Sequence, residues 1–171
     1  IRDRMKESPI ALDPEKANQQ HYEVPPSFFD EVLGSNLKYS SGFWPQTVTT
    51  LDESELAMLE LSCERAELEN GQNILELGCG WGSLTCYMAS QYPKSQITAV
   101  SNSRDQKEYI LKRCSESGLN NVNVITSDMN DFTVEQMYDR VVSIEMFEHM
   151  RNYKKLLSKI SCLLKDDGKL F

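Results

Sequence analysis

The chain has 171 residues, 40% of them hydrophobic and 26% charged, a balance that excludes a disordered polypeptide and suits one domain with a sizeable core. A net charge of −8 argues against nucleic acid or an anionic membrane surface as an electrostatic partner and fits a small cationic or amine substrate. Five cysteines without a C-x-x-C pair point away from a metal site or disulfide framework and toward a reducing, cytoplasmic setting; no apolar run is long enough for integral membrane contact.

Residues 1–50 read as an irregular segment punctuated by Pro9, Pro14, Pro25, Pro26 and Pro45. Short helices are expected over 14–22 and 26–34, the second opening on Pro26 and stopping at Gly34. Segment 51–69 is predicted to be a helix. Thr50 and Glu53 fit a capping box at its start, and Asn70-Gly71 ends it. Leu56, Met58, Leu59 and Cys63 supply its apolar face. Strands follow at 73–77, 96–100, 122–126, 139–144 and from 169. Helices lie between them at 82–92, 103–117 and 151–165, with Gly118 and Gly168 at expected helix stops. This alternation predicts an α/β protein, a parallel sheet flanked by helices on both faces. Residues 1–50 then form a helical or irregular segment closing the site, and 51–171 form the binding core.

The most telling stretch is Ile74-Leu75-Glu76-Leu77-Gly78-Cys79-Gly80-Trp81-Gly82. It reads as a buried strand running into a glycine-rich turn that opens a helix. Gly78, Gly80 and Gly82 let the backbone come close to a ligand, and the N–H groups of the new helix point at it. Glu76 can reach a ligand cation or amino group. A dinucleotide site uses G-x-G-x-x-G because a pyrophosphate needs the helix N-terminus. The spacing here is Glu-x-Gly-x-Gly-x-Gly.

The remaining candidates fall at later strand ends. The second strand closes in Ser101-Asn102-Ser103, without the acid that usually grips ribose hydroxyls. Gln106 is a ligand contact, the second half of a capping box with Ser103, or both at once. After the third strand, Asp128 can accept from an adenine amino group while Met129 lies on the ring; an ordinary Asx turn is the equal alternative. The fourth strand ends in Glu145-Met146-Phe147-Glu148-His149. Two carboxylates and an imidazole there suit holding a cationic amine at Glu145 and deprotonating it at Glu148 and His149. Helix capping by the two acids is the competing use.

The glycine turn resembles motif I of class I S-adenosylmethionine-dependent methyltransferases. The Ser101 and Gln106 pattern resembles one branch of them, the cyclopropane-fatty-acid synthase superfamily that includes the coclaurine-type N-methyltransferases. His21-Tyr22-Glu23-Val24-Pro25-Pro26-Ser27-Phe28-Phe29 and Leu37-Lys38-Tyr39-Ser40-Ser41-Gly42-Phe43-Trp44 resemble two further segments of that family. The resemblance implies a Rossmann-like class I methyltransferase fold with S-adenosylmethionine as cofactor. It implies that Tyr39 and Ser40 contact the methionine part, where an aromatic face can stabilise a sulfonium. It also assigns Glu145, Glu148 and His149 to substrate binding and catalysis. A cysteine of the lipid-cyclopropanating members is replaced by Ser41, and their small residue is replaced by Glu145, so an amine substrate is favoured. A lipid-modifying enzyme or a non-catalytic cofactor binder are the alternatives, and a homodimer is among the expected assemblies. The fold so implied has two more strands, and with the start at Ile1 this predicts a piece of a longer polypeptide.

Overall fold

The computed structural model describes residues 2–12 and 26–171. The helix expected over 14–22 and the segment from His21 to Pro25 lie outside the described residues. The elements are α1 (Arg2–Glu7), α2 (Pro26–Val32), α3 (Leu51–Arg65), β1 (Asn73–Leu77), α4 (Ser83–Gln91), β2 (Gln96–Ser101), α5 (Arg104–Glu116), β3 (Val122–Thr126), β4 (Tyr138–Val142), a 3-10 turn (Phe147–His149), α6 (Tyr153–Leu163) and β5 (Leu164–Leu170).

Among the described residues, five strands form one sheet in the order β3-β2-β1-β4-β5, every neighbouring pair parallel. The expected α/β architecture is present. β1 is central and buried on both faces, which is why it reads as an apolar run rather than an alternation. Ile74 packs with Leu59, Cys63, Met88 and Ile97 under α3 and α4, and α5 extends this layer by burying Ile110 and Cys114 with Ala99 and Val124. Leu75 and Leu77 face the opposite way, toward Phe132, Tyr138, Leu156 and Ile160 under α6. From β1 the chain works outward to β3, then returns to β4 on β1's other side. That reversal opens a crevice at the carboxyl ends of β1, β2 and β4.

Element boundaries differ from the sequence reading where tertiary contacts decide them. The capping box of α3 forms as expected: Glu53 N donates to Thr50 Oγ1 at 3.3 Å and Thr50 N donates to the Glu53 carboxylate at 3.0 Å. The helix stops at Arg65, however, because Glu67 turns left-handed with φ 51° and Leu68 N returns to Cys63 O at 3.0 Å. Within its apolar face Leu59 and Cys63 are buried, while Leu56 is 40% exposed.

β4 ends at Val142, before Ser143. Gly168 is no helix stop: β5 begins at Leu164, directly after α6, and contains it. A Cβ at Gly168 would lie 2.9 Å from Tyr138 O, where the β4–β5 register shifts, so the glycine serves a strand irregularity. α1 interrupts a segment read as irregular. Asn152 Nδ2 donates to Lys6 O and Ser8 O at 2.8 and 2.7 Å, and Asn130 Oδ1 accepts from Ile10 N at 2.7 Å.

Candidate cofactor and catalytic site

The three glycines of the turn after β1 divide into two roles. Gly78 N and Cys79 N both donate to Val100 O, at 3.0 and 3.1 Å, and so pin the turn to β2. A Cβ on Gly78 would lie 2.7 Å from Met146 Cβ, and one on Gly82 would lie 2.6 Å from Ile110 Cγ1. These two glycines let the turn pack against the loop after β4 and against α5. Over Gly80, at φ +51°, a Cβ would meet nothing within 4 Å. It is the glycine of the three that faces open space. Glu76 is 4% exposed and accepts from Thr85 Oγ1 at 2.5 Å. Burial pushes its carboxyl up to about 7, against the Thr85 hydrogen bond and the Lys38 ammonium, which pull it down.

At the end of β2 the two uses of Gln106 separate. Ser103 is the N-cap of α5, its Oγ accepting from Gln106 N at 3.3 Å. The Gln106 side chain does not return the bond. Ser103 N donates to Ser101 Oγ at 3.0 Å, and Ser101 Oγ donates to Gln106 Oε1 at 2.5 Å. Gln106 is 2% exposed, and its Nε2 is buried without a hydrogen-bond partner. Ser101 thus orients the amide and leaves its nitrogen for something else. Thr126 Oγ1, paired in register with Ser101 across the β2–β3 ladder, is likewise buried and unpartnered. The sequence reading passed over it, because a threonine in a strand carries no local signal of a ligand. Asn102 is exposed beside Ser101.

Asp128 makes the Asx turn, its Oδ1 accepting from Asn130 N at 2.6 Å. Met129 is 7% exposed and packs in the core cluster with Phe132 and Leu156. Beyond β4, Ser143 Oγ donates to Leu77 O at 2.9 Å, tying the loop to β1. Glu145 follows with φ 57°, a left-handed conformation unusual for a non-glycine residue. Glu148 and His149 lie on the 3-10 turn and are exposed. Neither acid caps α6: its N-cap is Asn152, whose Oδ1 accepts from Lys155 N at 3.1 Å.

The segment before α3 reaches this edge through aromatic rings. Phe29 stacks edge-on with Tyr39 at 5.6 Å and lies 5.8 Å from Trp81, which meets Tyr109 at 5.4 Å. Phe43 and Trp44 stay exposed, outside this chain of rings. Tyr39 is half-exposed. Ser40 Oγ accepts from Lys38 Nζ at 2.5 Å. Lys38 is buried, and desolvation lowers its pKa against the pull of Glu145, Glu55 and Glu76. Sequence reasoning missed it, since a lysine in an irregular segment reads as solvent-facing.

The fold is that of the Rossmann-like class I methyltransferases. The chain belongs to the mycolic acid cyclopropane synthetase family, whose model matches residues 12–171. It is 45% identical over 167 residues to an (S)-coclaurine N-methyltransferase of Thalictrum flavum subsp. glaucum, covering 98% of this chain and 46% of that protein. A solved coclaurine N-methyltransferase bound to N-methylheliamine and SAH superposes with TM-score 0.94 at 44% identity, covering 98% of this chain and 48% of that one. A mycolic acid cyclopropane synthase complexed with SAH and CTAB gives TM-score 0.81 at 28% identity, covering 93% of this chain and 56% of the other. The chain therefore spans about half the length of these relatives. Among the described residues no helix is long and apolar enough to cross a membrane, and no cluster of His, Cys, Asp or Glu could hold a metal ion.

Proposed function

We propose that this chain carries the S-adenosylmethionine site of a methyltransferase acting on an amine nitrogen. The residues fit that cofactor. Open space over Gly80, the orphaned Gln106 Nε2 and the buried Glu76 carboxyl suit a nucleoside with a cationic end. Residues 51–171 form the binding core, and 1–50 close the site over it. A reducing cytoplasm fits the five free thiols.

The observation that carries the amine reading is the backbone of Glu145. A glycine would take φ 57° without strain, whereas a glutamate held there costs on the order of 1 kcal/mol. Strain of that kind persists where a carboxylate is wanted at that point. Bound cofactor supplies a sulfonium methyl for in-line displacement. Glu76 holds the cationic amino end. Gln106 donates Nε2 to a ribose hydroxyl, with Ser101 orienting it and Asn102 at the rim. Tyr39 offers its face to positive charge and Ser40 its hydroxyl. Asp128 accepts from the adenine amino group through the oxygen outside its Asx turn, and Met129 offers ring contact through what its burial leaves exposed. Glu145 holds the amine substrate, and Glu148 and His149 take its proton.

The test is transfer of a labelled methyl group from S-adenosylmethionine by the purified protein to secondary and tertiary amines and to an unsaturated phospholipid. Label on an amine nitrogen is expected. The Glu148→Gln and His149→Ala variants should turn over ~10²–10⁴-fold more slowly, with partial recovery at high pH as solvent takes the proton from the substrate amine before it binds. Label in the phospholipid, or unchanged rates in both variants, would contradict the reading.

A further inference from the structure

Lys38 is 6% exposed, and its ammonium lies among carboxylates without pairing with any of them. Among the described residues its hydrogen-bond partner is the neutral Ser40 Oγ at 2.5 Å, and it forms no ion pair. An ammonium carries three donors, and a buried charge is ordinarily paired. Two of the three carboxylates around it are engaged elsewhere. Glu55 accepts from Gly34 N and Asn36 N at 2.8 and 3.1 Å, and Glu76 accepts from Thr85 Oγ1 at 2.5 Å. Glu145 exerts the largest pull of the three, but it is exposed and, among the described residues, forms no ion pair with Lys38. Lys38 is thus a desolvated cation with donors to spare, in a segment whose Tyr39 packs on Phe29, 5.8 Å from Trp81 of the turn after β1.

We propose that Lys38 binds the α-carboxylate at the amino-acid end of the cofactor, while Glu76 takes the ammonium of the same end. The assignment rests on the cofactor reading above. An amino-acid end is a zwitterion and needs an anion and a cation side by side. Glu76 and Lys38 are such a pair, close enough for each to influence the other's charge and not joined to each other. Ser40 completes the cradle: its oxygen accepts from Lys38, which leaves its O–H free to donate to the same carboxylate. Charge-assisted hydrogen bonds in a desolvated setting are the strong ones. Lysine serves here as a point charge, without the fork geometry that would make arginine necessary.

The test compares three ligands by titration calorimetry on the wild type, Lys38→Met and Lys38→Arg. S-adenosylhomocysteine has the complete amino-acid end, S-adenosyl-3-thiopropylamine is the same thioether lacking only the carboxylate, and 5′-methylthioadenosine lacks the whole end. Lys38→Met should weaken S-adenosylhomocysteine by ~10–100-fold, as expected for a lost hydrogen bond to a charged group. It should leave the other two within about twofold, or bind the decarboxylated cation more tightly. Lys38→Arg keeps the charge and should stay within about tenfold of the wild type for all three ligands. Equal losses for all three in Lys38→Met would make the lysine a structural element, and no loss for any would remove it from the site. If the wild type binds none of them, the cofactor reading itself fails and this assignment falls with it.

Discussion

Gln106 has its amide oxygen on Ser101 and its nitrogen on nothing, although both are buried. A buried N–H without a partner costs roughly 1–3 kcal/mol, a penalty that a bound hydroxyl would remove. Gln106→Ala should therefore weaken S-adenosylhomocysteine binding by about 1–3 kcal/mol in calorimetry while leaving the apo protein no less stable. A loss of stability without a loss of affinity would mean the side chain serves α5 alone. Glu76 makes a second residue-scale prediction through its burial. Its carboxyl is raised from 4.5 to about 7 in the folded state, so folding favours the neutral form. That contribution is fully present below pH 4.5 and is lost as pH rises through about 7. Glu76→Gln should accordingly melt higher than the wild type at pH 8, by up to the order of 3 kcal/mol, with the difference vanishing near pH 4. Parallel melting curves at both pH values would show that the folded protein tolerates the charge.

At the scale of elements, Asn152 joins two of them. Its Oδ1 caps α6 and its Nδ2 holds the Lys6 and Ser8 carbonyls at the end of α1, and it is 1% exposed. Asn152→Ala should cost about 1–3 kcal/mol in a urea melt, more than a surface cap, because buried carbonyls lose their donor as well. Asn152→Asp keeps the cap but turns a carboxylate oxygen toward two carbonyl oxygens in a buried setting, so it should cost at least as much as Asn152→Ala. A variant as stable as the wild type would contradict the role given to this residue. The same element shows why parts of the fold were illegible in the sequence. β1, the capping box of α3 and the glycine turn announce themselves through patterns within a few residues. α1 does not: its six residues are held by Asn152 and the segment after it by Asn130, more than a hundred positions away. Gly168 misled for a related reason, since a glycine after a helix looks like a stop until β4 is known to lie against it. In the candidate site, Glu76, Gln106 and Glu145 could be put forward from spacing. Lys38 and Thr126 could not, because their burial is set by residues distant in sequence.

At the scale of the molecule, the sheet order sets the crevice and three separate strand ends furnish it. β1 and the turn after it bring Glu76 and the glycines, the end of β2 and the first turn of α5 bring Ser101 and Gln106, and the loop after β4 brings Glu145, Glu148 and His149. The chain spans about half the length of its relatives, so ligand binding tests the central claim more directly than turnover. Gly80 supplies the variant and Gly118 its control. Both are left-handed, at φ +51° and +68°, and a Cβ at either meets nothing within 4 Å. Valine at each position imposes a similar backbone strain, but Gly80 lies in the turn after β1 while Gly118 closes α5 at its far end. The decisive measurement is calorimetric titration of S-adenosylhomocysteine into the wild type, Gly80→Val and Gly118→Val, with melting curves to match their stabilities. Binding heat in the wild type and Gly118→Val, and none in Gly80→Val, is the predicted result. Equal affinity in all three would contradict the account, because the space over Gly80 would then hold no ligand.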